Sequence, residues 1–524
     1  MIAFKLNKFA LVATLLCFAF AMDCNAQGGS VFKAPSFKSN LPIVQIRCNG
    51  PISKEKRKAK MFIEGVYDGD IVIKLRGNSS MSFNQKKYTI DTDETSFFGM
   101  PANKEWSLVC TYTDVSMMRD AFACKLWNEM GHWGPHIQMV EVILNDEYIG
   151  VYGFSETITV DKGRLEIAGK KKTADGTKVK VGDIPAGETG YVLRIDKYDE
   201  SEDYFISKHK GLNNVAGGNV GSMFGGFGNF GAGFSTMPNF PDMQSVVWTC
   251  RYPKKLKISD EQTEYVHQFV NDFEDAFLDE NNFSLAKLTE LVDINSFVDY
   301  FIHTELSLNA DAYKSSSYFY ITPRGDDGSK GKIFAGPVWD YNLAYGSCGF
   351  CSAGDINAWA FEGCETTPTP AFWKLFAVNS QLESMVKQRY SELRKTILSN
   401  KHILAIIDEY ATQLRPTQQR QFEKYPELLK QDGKHTSTPN TPNGFGGFAG
   451  GNAMMGGFAG GNAMMGGFAG GNAMMGGFAG GFDDSAMLDM FRSHTVSNYD
   501  EEIEYLKKWF ADRLSVLDVR FLSN

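Results

Sequence analysis

The chain predicts an α+β architecture in two lobes, strand-rich in its first half and helix-rich in its second, with a cleft between them. Three observations carry this. "DIVIKLRG" (70–77) and "KKYTIDT" (86–92) alternate apolar and polar residues with the period of two of a half-buried strand. "QMVEVILNDEYIGVYGFSETI" (138–158) reads as two strands about a turn at Asn145 and Asp146, and "GYVLRID" (190–196) as another. From about residue 260 the apolar residues fall at helical spacing instead, in "TEYVHQFVNDFEDAFL", "NSFVDYFIHTELSLN", "PAFWKLFAVNSQLESMVKQRYSELRKTIL" and "NYDEEIEYLKKWFADRLSVLDVRF".

Within the strand-rich half, "SMMRDAFACKLWNEMG" (116–131) is a helix by period, with Ser116 as its cap and Gly131 as its stop. The basic run "SKEKRKAK" (53–60) reads as a solvated hairpin or loop. "GGNVGSMFGGFGNFGAGFS" (217–235) and the ten-residue repeat "GGFAGGNAMM", from 446 to about Phe482, hold too much glycine for a helix or packed strand and read as surface insertions. Their Phe and Met residues are either contacts for a partner or a tolerated repeat expansion.

The N-terminus has Lys5 and Lys8, an apolar run from Phe9 to Met22 and small residues to Ala26, the pattern of a secretory leader cleaved after Ala26. A lipoprotein reading through Cys24 is disfavoured by its neighbours Met22 and Asp23. No later apolar stretch reaches the roughly 18 residues needed to span a bilayer. The expectation is an exported chain in the periplasm, at the cell surface or outside the cell. A net charge of −9 argues against nucleic acid as partner. Of nine cysteines, Cys17 and Cys24 lie in the leader, and Cys348, Cys351 and Cys364 form the one cluster. No matching fourth ligand for a structural metal lies near it, so a local disulfide is expected.

Three constellations compete for the cleft. In "RGNSS", Arg76, Gly77, Asn78, Ser79 and Ser80 form a glycine turn that is either an ordinary hairpin connection or a cradle of N–H groups and hydroxyls for phosphate oxygens. On the strand that follows, Lys86 shares a face with Tyr88 and Ile90 and so would point into the cleft, leaving Lys87 solvated. In "HTELSLNADAYKSSSYFYI", a helix ending near Leu308 delivers Asn309 and Asp311 into a loop, where a carboxylate can take a hydroxyl proton or simply close a turn. In "GPVWDYNLAYG", Asp340 follows the apolar pair Val338 and Trp339 at the end of the next strand, which the turn "RGDDGSKGK" joins to its partner. An acid for the nucleophile and an acid for a divalent cation are arranged this way in phosphoryl-transfer clefts.

Taken in order, "RGNSS…KKYTI", "VSMMRDAFACKLWNEMG", "VEVILNDEYIGVYGFSETI", "GYVLRID", "NADAYKSSSYFYI" and "GPVWDYNLAYG" resemble the spore-coat protein H (CotH) family of secreted atypical protein kinases, from about residue 40 to the C-terminus. The resemblance implies a protein-kinase-like fold that transfers the γ-phosphoryl of ATP to Ser or Thr of exported proteins, itself included, with Mg²⁺ or Mn²⁺. It implies Lys86 as the phosphate-contacting lysine, Asp311 as the catalytic acid and Asp340 as the metal ligand. Asn309 would orient the Asp311 loop or join Asp340 at the metal. Glu156 would face the nucleotide or cap its turn, and Arg119 would brace the lysine-bearing strand or a phosphate, or lie on the surface. The chain departs from the family pattern at Asn342, where an acid is frequent, and lacks the HRD and DFG strings of ordinary kinases.

Two other function classes fit parts of the sequence. A catalytically silent adhesin or matrix protein of the same fold would use the Gly/Phe/Met repeats as its contact region. A polysaccharide hydrolase would use Asp311 and Asp340 as paired carboxylates, but leaves the lysine and the glycine turn unexplained.

Overall fold

The computed structural model describes residues 32–77, 79–81, 83–169, 176–196, 202–212, 244–279, 282–364, 367–429, 488 and 491–523. The leader, the stretch 217–235, the decapeptide repeats and Asn78 lie outside the described residues.

Seven strands close into a barrel: β1 (Ile43–Cys48), β2 (Arg57–Ile63), β3 (Tyr67–Arg76), β4 (Lys87–Thr95), β5 (Asn103–Cys110), β6 (Ile137–Leu144) and β7 (Glu147–Glu156), in the order β1-β2-β3-β4-β5-β7-β6. Parallel pairing of β1 with β6 shuts the ring. Strand alternation explains the interior. Ile73, Ile90 and Trp106 form one cross-strand row, and Leu75, Tyr88, Leu108 and Phe154 the next. Their side chains fill the barrel, while the alternate residues Lys87, Thr89 and Ser107 face outward. Helix α1 (Arg119–Glu129) is inserted between β5 and β6.

The second sheet holds β8 (Tyr191–Ile195), β9 (Asp203–Lys210), β10 (Ser245–Tyr252), β11 (Ser317–Ile321) and β12 (Ile333–Ala335), antiparallel in the order β12-β11-β8-β10-β9. The helices that follow are α2 (Asp260–Leu278), α3 (Leu285–Leu291), α4 (Ile294–Ser307), α5 (Ser380–Arg394), α6 (Asn400–Leu414), α7 (Gln418–Lys424), which packs on β7 of the barrel, and α8 (Tyr499–Leu522). Helix α4 is buried on nearly every side, with Phe297 and Tyr300 stacked on Trp373 at 5.4 and 5.3 Å. Helix α8 packs on α5 and α6 and reaches α1 through Phe510 and Phe122, 4.9 Å apart, so the chain's end belongs to the same core as the barrel. Among the described residues no helix is long and apolar enough to cross a membrane.

The mixed α+β class and the order of strands before helices agree with the sequence, and three local expectations are corrected. The basic run is half strand: from Arg57 the chain is β2, with Lys58 and Lys60 exposed and Ala59 and Met61 buried, so the charges are one face of an alternating strand. Ser116 does not cap α1. The Asp114 carboxylate does, accepting the N–H groups of Arg119 at 2.8 Å and Ser116 at 3.0 Å. Asp340 is not at a strand end, because β12 stops at Ala335 and Asp340 stands on the loop beyond it. The local disulfide is Cys351–Cys364, and Cys348 is a buried free thiol.

Candidate active site

The outward face of β3, β4 and β5 meets the loop after β12. Arg76 and Lys87 are cross-strand partners there. Arg76 donates from Nη1 to Ser107 Oγ at 2.9 Å and lies over the Trp339 ring, 4.9 Å from its centroid. Lys87 Nζ lies 2.8 Å from Asp340 Oδ1, with side chains 13% and 27% exposed.

Asp340 is in a left-handed backbone conformation, φ +65°, which Asp tolerates better than most side chains and which its surroundings fix. The surroundings here are specific. Asn309 Nδ2 donates to the Asp340 carbonyl at 3.2 Å, and the next N–H, that of Tyr341, donates to Asp120 Oδ1 at 2.5 Å. Asp120 comes from the first turn of α1, so helix, β4 and loop converge on one point.

The charges are coupled. Burial opposes the Lys87 ammonium, yet the Asp340 carboxylate beside it, with Cys110 and Asp120, more than reverses this and raises its pKa. Burial and the neighbouring Asp340 charge push Asp120 up to about 7, against the opposing pull of Lys87 and the Tyr341 N–H.

The Asp311 loop is stitched to the Asp340 loop at two points. Helix α4 ends on Leu308 in the left-handed region, φ +43°. Beyond it Asn309 Oδ1 accepts the Asp311 N–H at 3.4 Å, and the Asp311 carbonyl accepts the N–H groups of Lys314 and Ser315 at 3.2 and 2.8 Å. Asn309 on the Asp340 carbonyl is one stitch, and the Tyr345 N–H on the Ser307 carbonyl, at 2.7 Å, is the other.

The expected residues distribute unevenly over this site. Lys87, not Lys86, meets Asp340. Lys86 does share a face with Tyr88 and Ile90, but in a closed barrel that face is the lumen, and the outward face is buried too, against the rest of the molecule. The Lys86 ammonium donates to the carbonyls of Met81, at 2.8 Å, and Phe83. Gly77 fits a tight turn: its φ is +98°, and a Cβ there would stand 2.1 Å from Ser80 Oγ. Ser79–Met81 forms a 3-10 turn beside it.

Glu156 is fully buried at the end of β7 and spends one oxygen on His136, accepting its backbone N–H at 2.9 Å and lying 2.8 Å from Nδ1. Its other oxygen is 3.7 Å from Arg164 Nε. Arg119 neither braces the lysine strand nor lies on the surface. It is 1% exposed and pairs with Asp114 at 2.5 Å and Glu502 at 2.7 Å. Asn342 turns its amide to Thr113 Oγ1 at 2.5 Å.

Asp120 is the residue that sequence reasoning missed. A signal existed: Asp120 precedes Ala123, Cys124 and Trp127 by three, four and seven positions, which puts a carboxylate on the buried stripe of the helix.

Among the described residues no group of three or more His, Cys, Asp or Glu could hold a metal ion alone. The donors at the site nonetheless suit a hard cation that takes one or two carboxylates and completes its shell with water and phosphate oxygens, as Mg²⁺ does. Asp340 and Asp120 are the two carboxylates the site offers. The family model described as CotH kinase protein matches residues 73–517, nearly the whole chain. No curated protein matches it.

Proposed function

The chain belongs to the CotH kinase family, and we propose from this and from the Lys87–Asp340 pair that it is an exported atypical protein kinase of two-lobed, kinase-like fold. Its reaction is transfer of the ATP γ-phosphoryl group to Ser or Thr of exported proteins, itself included, in the periplasm, at the cell surface or outside the cell.

The observation that supports it most is the part-buried ion pair joining the barrel to the loop after β12 at 2.8 Å. A lysine from a strand and an acid from a loop, facing each other with part of their surface open, are the two charges that bind phosphates and their cation. Lys87 takes the role first expected of Lys86. Asp340, with Asp120 behind it, would hold Mg²⁺ or Mn²⁺, and the cation when bound neutralises charge on the phosphate oxygens. Arg76 and the Gly77–Ser80 turn flank the same outward face and bind phosphate oxygens, as far as the described residues Arg76, Gly77 and Ser80 go. Asn309 positions the Asp340 backbone. Asp311, on the adjoining loop, accepts the proton of the attacking hydroxyl. Glu156 is left out of this set because it is fully buried at the end of β7, with one oxygen held by His136.

The test is transfer of label from γ-labelled ATP to the protein itself and to a generic Ser/Thr acceptor, with Mg²⁺ or Mn²⁺. Metal-dependent label that disappears in Asp311→Ala and Asp340→Ala is the expected result. A folded wild-type protein that transfers no label with either metal contradicts it.

A further inference from the structure

The stretch between Asp340 and α5 carries the Cys351–Cys364 disulfide, which spans 13 positions. Among the described residues the other five cysteines are buried free thiols, so this bond is the one a reductant can open.

Both flanks of the stretch are anchored by hydrogen bonds. At its start the Ser493 N–H donates to the Ser347 carbonyl and the Gly349 N–H to the Phe491 carbonyl, each at 3.1 Å. Further on, the Glu305 carboxylate accepts the N–H groups of Ala360 and Phe361, each at 3.0 Å. Arg513 Nη1 donates to the carbonyls of Ile356 and Ala358 at 2.5 and 2.8 Å.

The turn 350–355 between these anchors is tied differently. Its hydrogen bonds are local: the Phe350 N–H to the Cys348 sulfur at 3.4 Å, the Ala353 N–H to the Phe350 carbonyl at 2.8 Å, and the Asp355 N–H to the Ser352 carbonyl at 2.9 Å. Cys351 and Ser352 both lie in the left-handed region, at φ +51° and +56°, which L-residues seldom hold in succession. What fastens the turn to the rest of the molecule is the disulfide and apolar packing, with Phe350 edge-on to Phe491 at 5.1 Å.

That packing reaches the transfer site. Ala353, Cys348 and Ala310 form one buried cluster, flanked by Leu343 and Phe350. Ala310 immediately precedes Asp311, and Leu343 follows Asp340 by three positions, so the turn backs the loops of both acids. Cys348 stands beside the bond without exchanging with it, because burial pushes its thiol up to about 12 and keeps it protonated near neutral pH. Cys351 is half-buried whereas Cys364 is 1% exposed, so Cys351 offers the sulfur that an outside thiolate meets first.

We propose that the Cys351–Cys364 bond is a redox switch for the Asp311 loop: closed, it holds the 350–355 turn against Ala310, and opened by a dithiol reductant it releases both. A reductant thiolate attacks Cys351, and Cys364 leaves as a thiolate and takes a proton. The reductant's second thiol then displaces Cys351, so the protein gains two thiols and the reductant becomes a disulfide. The consequence for phosphoryl transfer rests on the kinase reading: the chain is held back in a reducing compartment and completed in an oxidising one.

The test compares the full chain oxidised and after dithiothreitol, beside Cys351→Ser and Cys364→Ser, by amide hydrogen exchange and by the transfer assay. On reduction, exchange at 310–315 and 350–355 is expected to speed up about tenfold or more while α4 is unchanged. Transfer should fall about tenfold or more. Both variants should match the reduced protein and ignore the reductant, with α4 protection showing that they are folded. The proposal is overturned if exchange at 310–315 is the same in both redox states, or if an active oxidised protein transfers as fast once reduced. An oxidised protein without transfer contradicts the kinase reading alone, and the exchange comparison then decides the switch.

Discussion

Arg119 and Asp120 are neighbours in the chain but anchor two different kinds of charge cluster. Around Arg119 each carboxylate oxygen has a hydrogen-bond partner. Its guanidinium donates to Asp114, Ser116, Glu502 and the carbonyls of Ala344 and Tyr345, and the second oxygen of Glu502 lies 2.7 Å from His494 Nε2. With Asp114 and Glu502 no more than 3% exposed, this cluster is closed to ligands and ties α1, the loop after Asp340 and α8 together. Around Asp120 two carboxylates face one ammonium, one acid sits near neutral pKa, and Asp340 is part-exposed. Closed, donor-saturated carboxylates hold a fold, whereas two carboxylates beside one part-exposed ammonium leave room for a cation. Perturbed charge alone does not separate the two cases; the number of partners and the access do.

The largest expected break in this comparison is in activity. Asp340→Ala and Lys87→Met each lower phosphoryl transfer by about a hundredfold or more, with small changes in melting temperature, measured on the same purified samples. Arg119→Ala does the reverse by a different route. It strands two buried carboxylates and destabilises the protein by about 3–5 kcal/mol, read from denaturant midpoints.

A buried group without a charge partner in direct contact should behave differently again. His303 bonds the Ala123 carbonyl from Nε2 at 3.1 Å, and burial pushes its pKa from 6.5 down to about 4. The unfolded chain therefore binds a proton that the folded one refuses between these values, so stability contributed by neutral His303 is lost as pH falls from 6.5 towards 4. The loss is on the order of 3 kcal/mol, and it should flatten in His303→Gln when denaturation is followed across that range.

Asp120→Asn sharpens the contrast with its neighbour. The folded pKa of Asp120 is raised, so ionising it costs stability as pH rises from its unfolded value towards about 7. At pH 8 the substitution should leave stability unchanged or increased, while transfer falls about tenfold or more through weaker cation binding. Lys86→Met has the smallest expected effect on transfer, less than about threefold, because its ammonium serves the Met81 and Phe83 carbonyls.

The legible parts of the sequence were those written in period and turn chemistry. The β6–β7 hairpin turns on Asn145 and Asp146, both at positive φ, as their residue types suggest. The stop at Gly131, at φ +102°, was equally plain. The loops bearing Asp311 and Asp340 were read near their places, since a helix end and a β-hairpin bracket them. What was not legible depended on closure. A single alternating strand shows that Lys86 and Lys87 face opposite ways, but only the ring of seven strands decides which face is the lumen. Strand β2 was hidden by its lysines, and Arg119 by the base rate that places arginine at the surface, because its partner Glu502 lies 383 residues away.

The most direct test of the central claim is metal-dependent ATP binding by Lys86→Met and Lys87→Met side by side, measured by calorimetry with Mg²⁺ and with Mn²⁺. The Lys87–Asp340 account predicts that Lys86→Met binds as wild type does and that Lys87→Met loses at least about tenfold in affinity. Loss of binding in Lys86→Met with Lys87→Met unaffected would contradict it and return the phosphate-contacting role to the lysine at the barrel mouth.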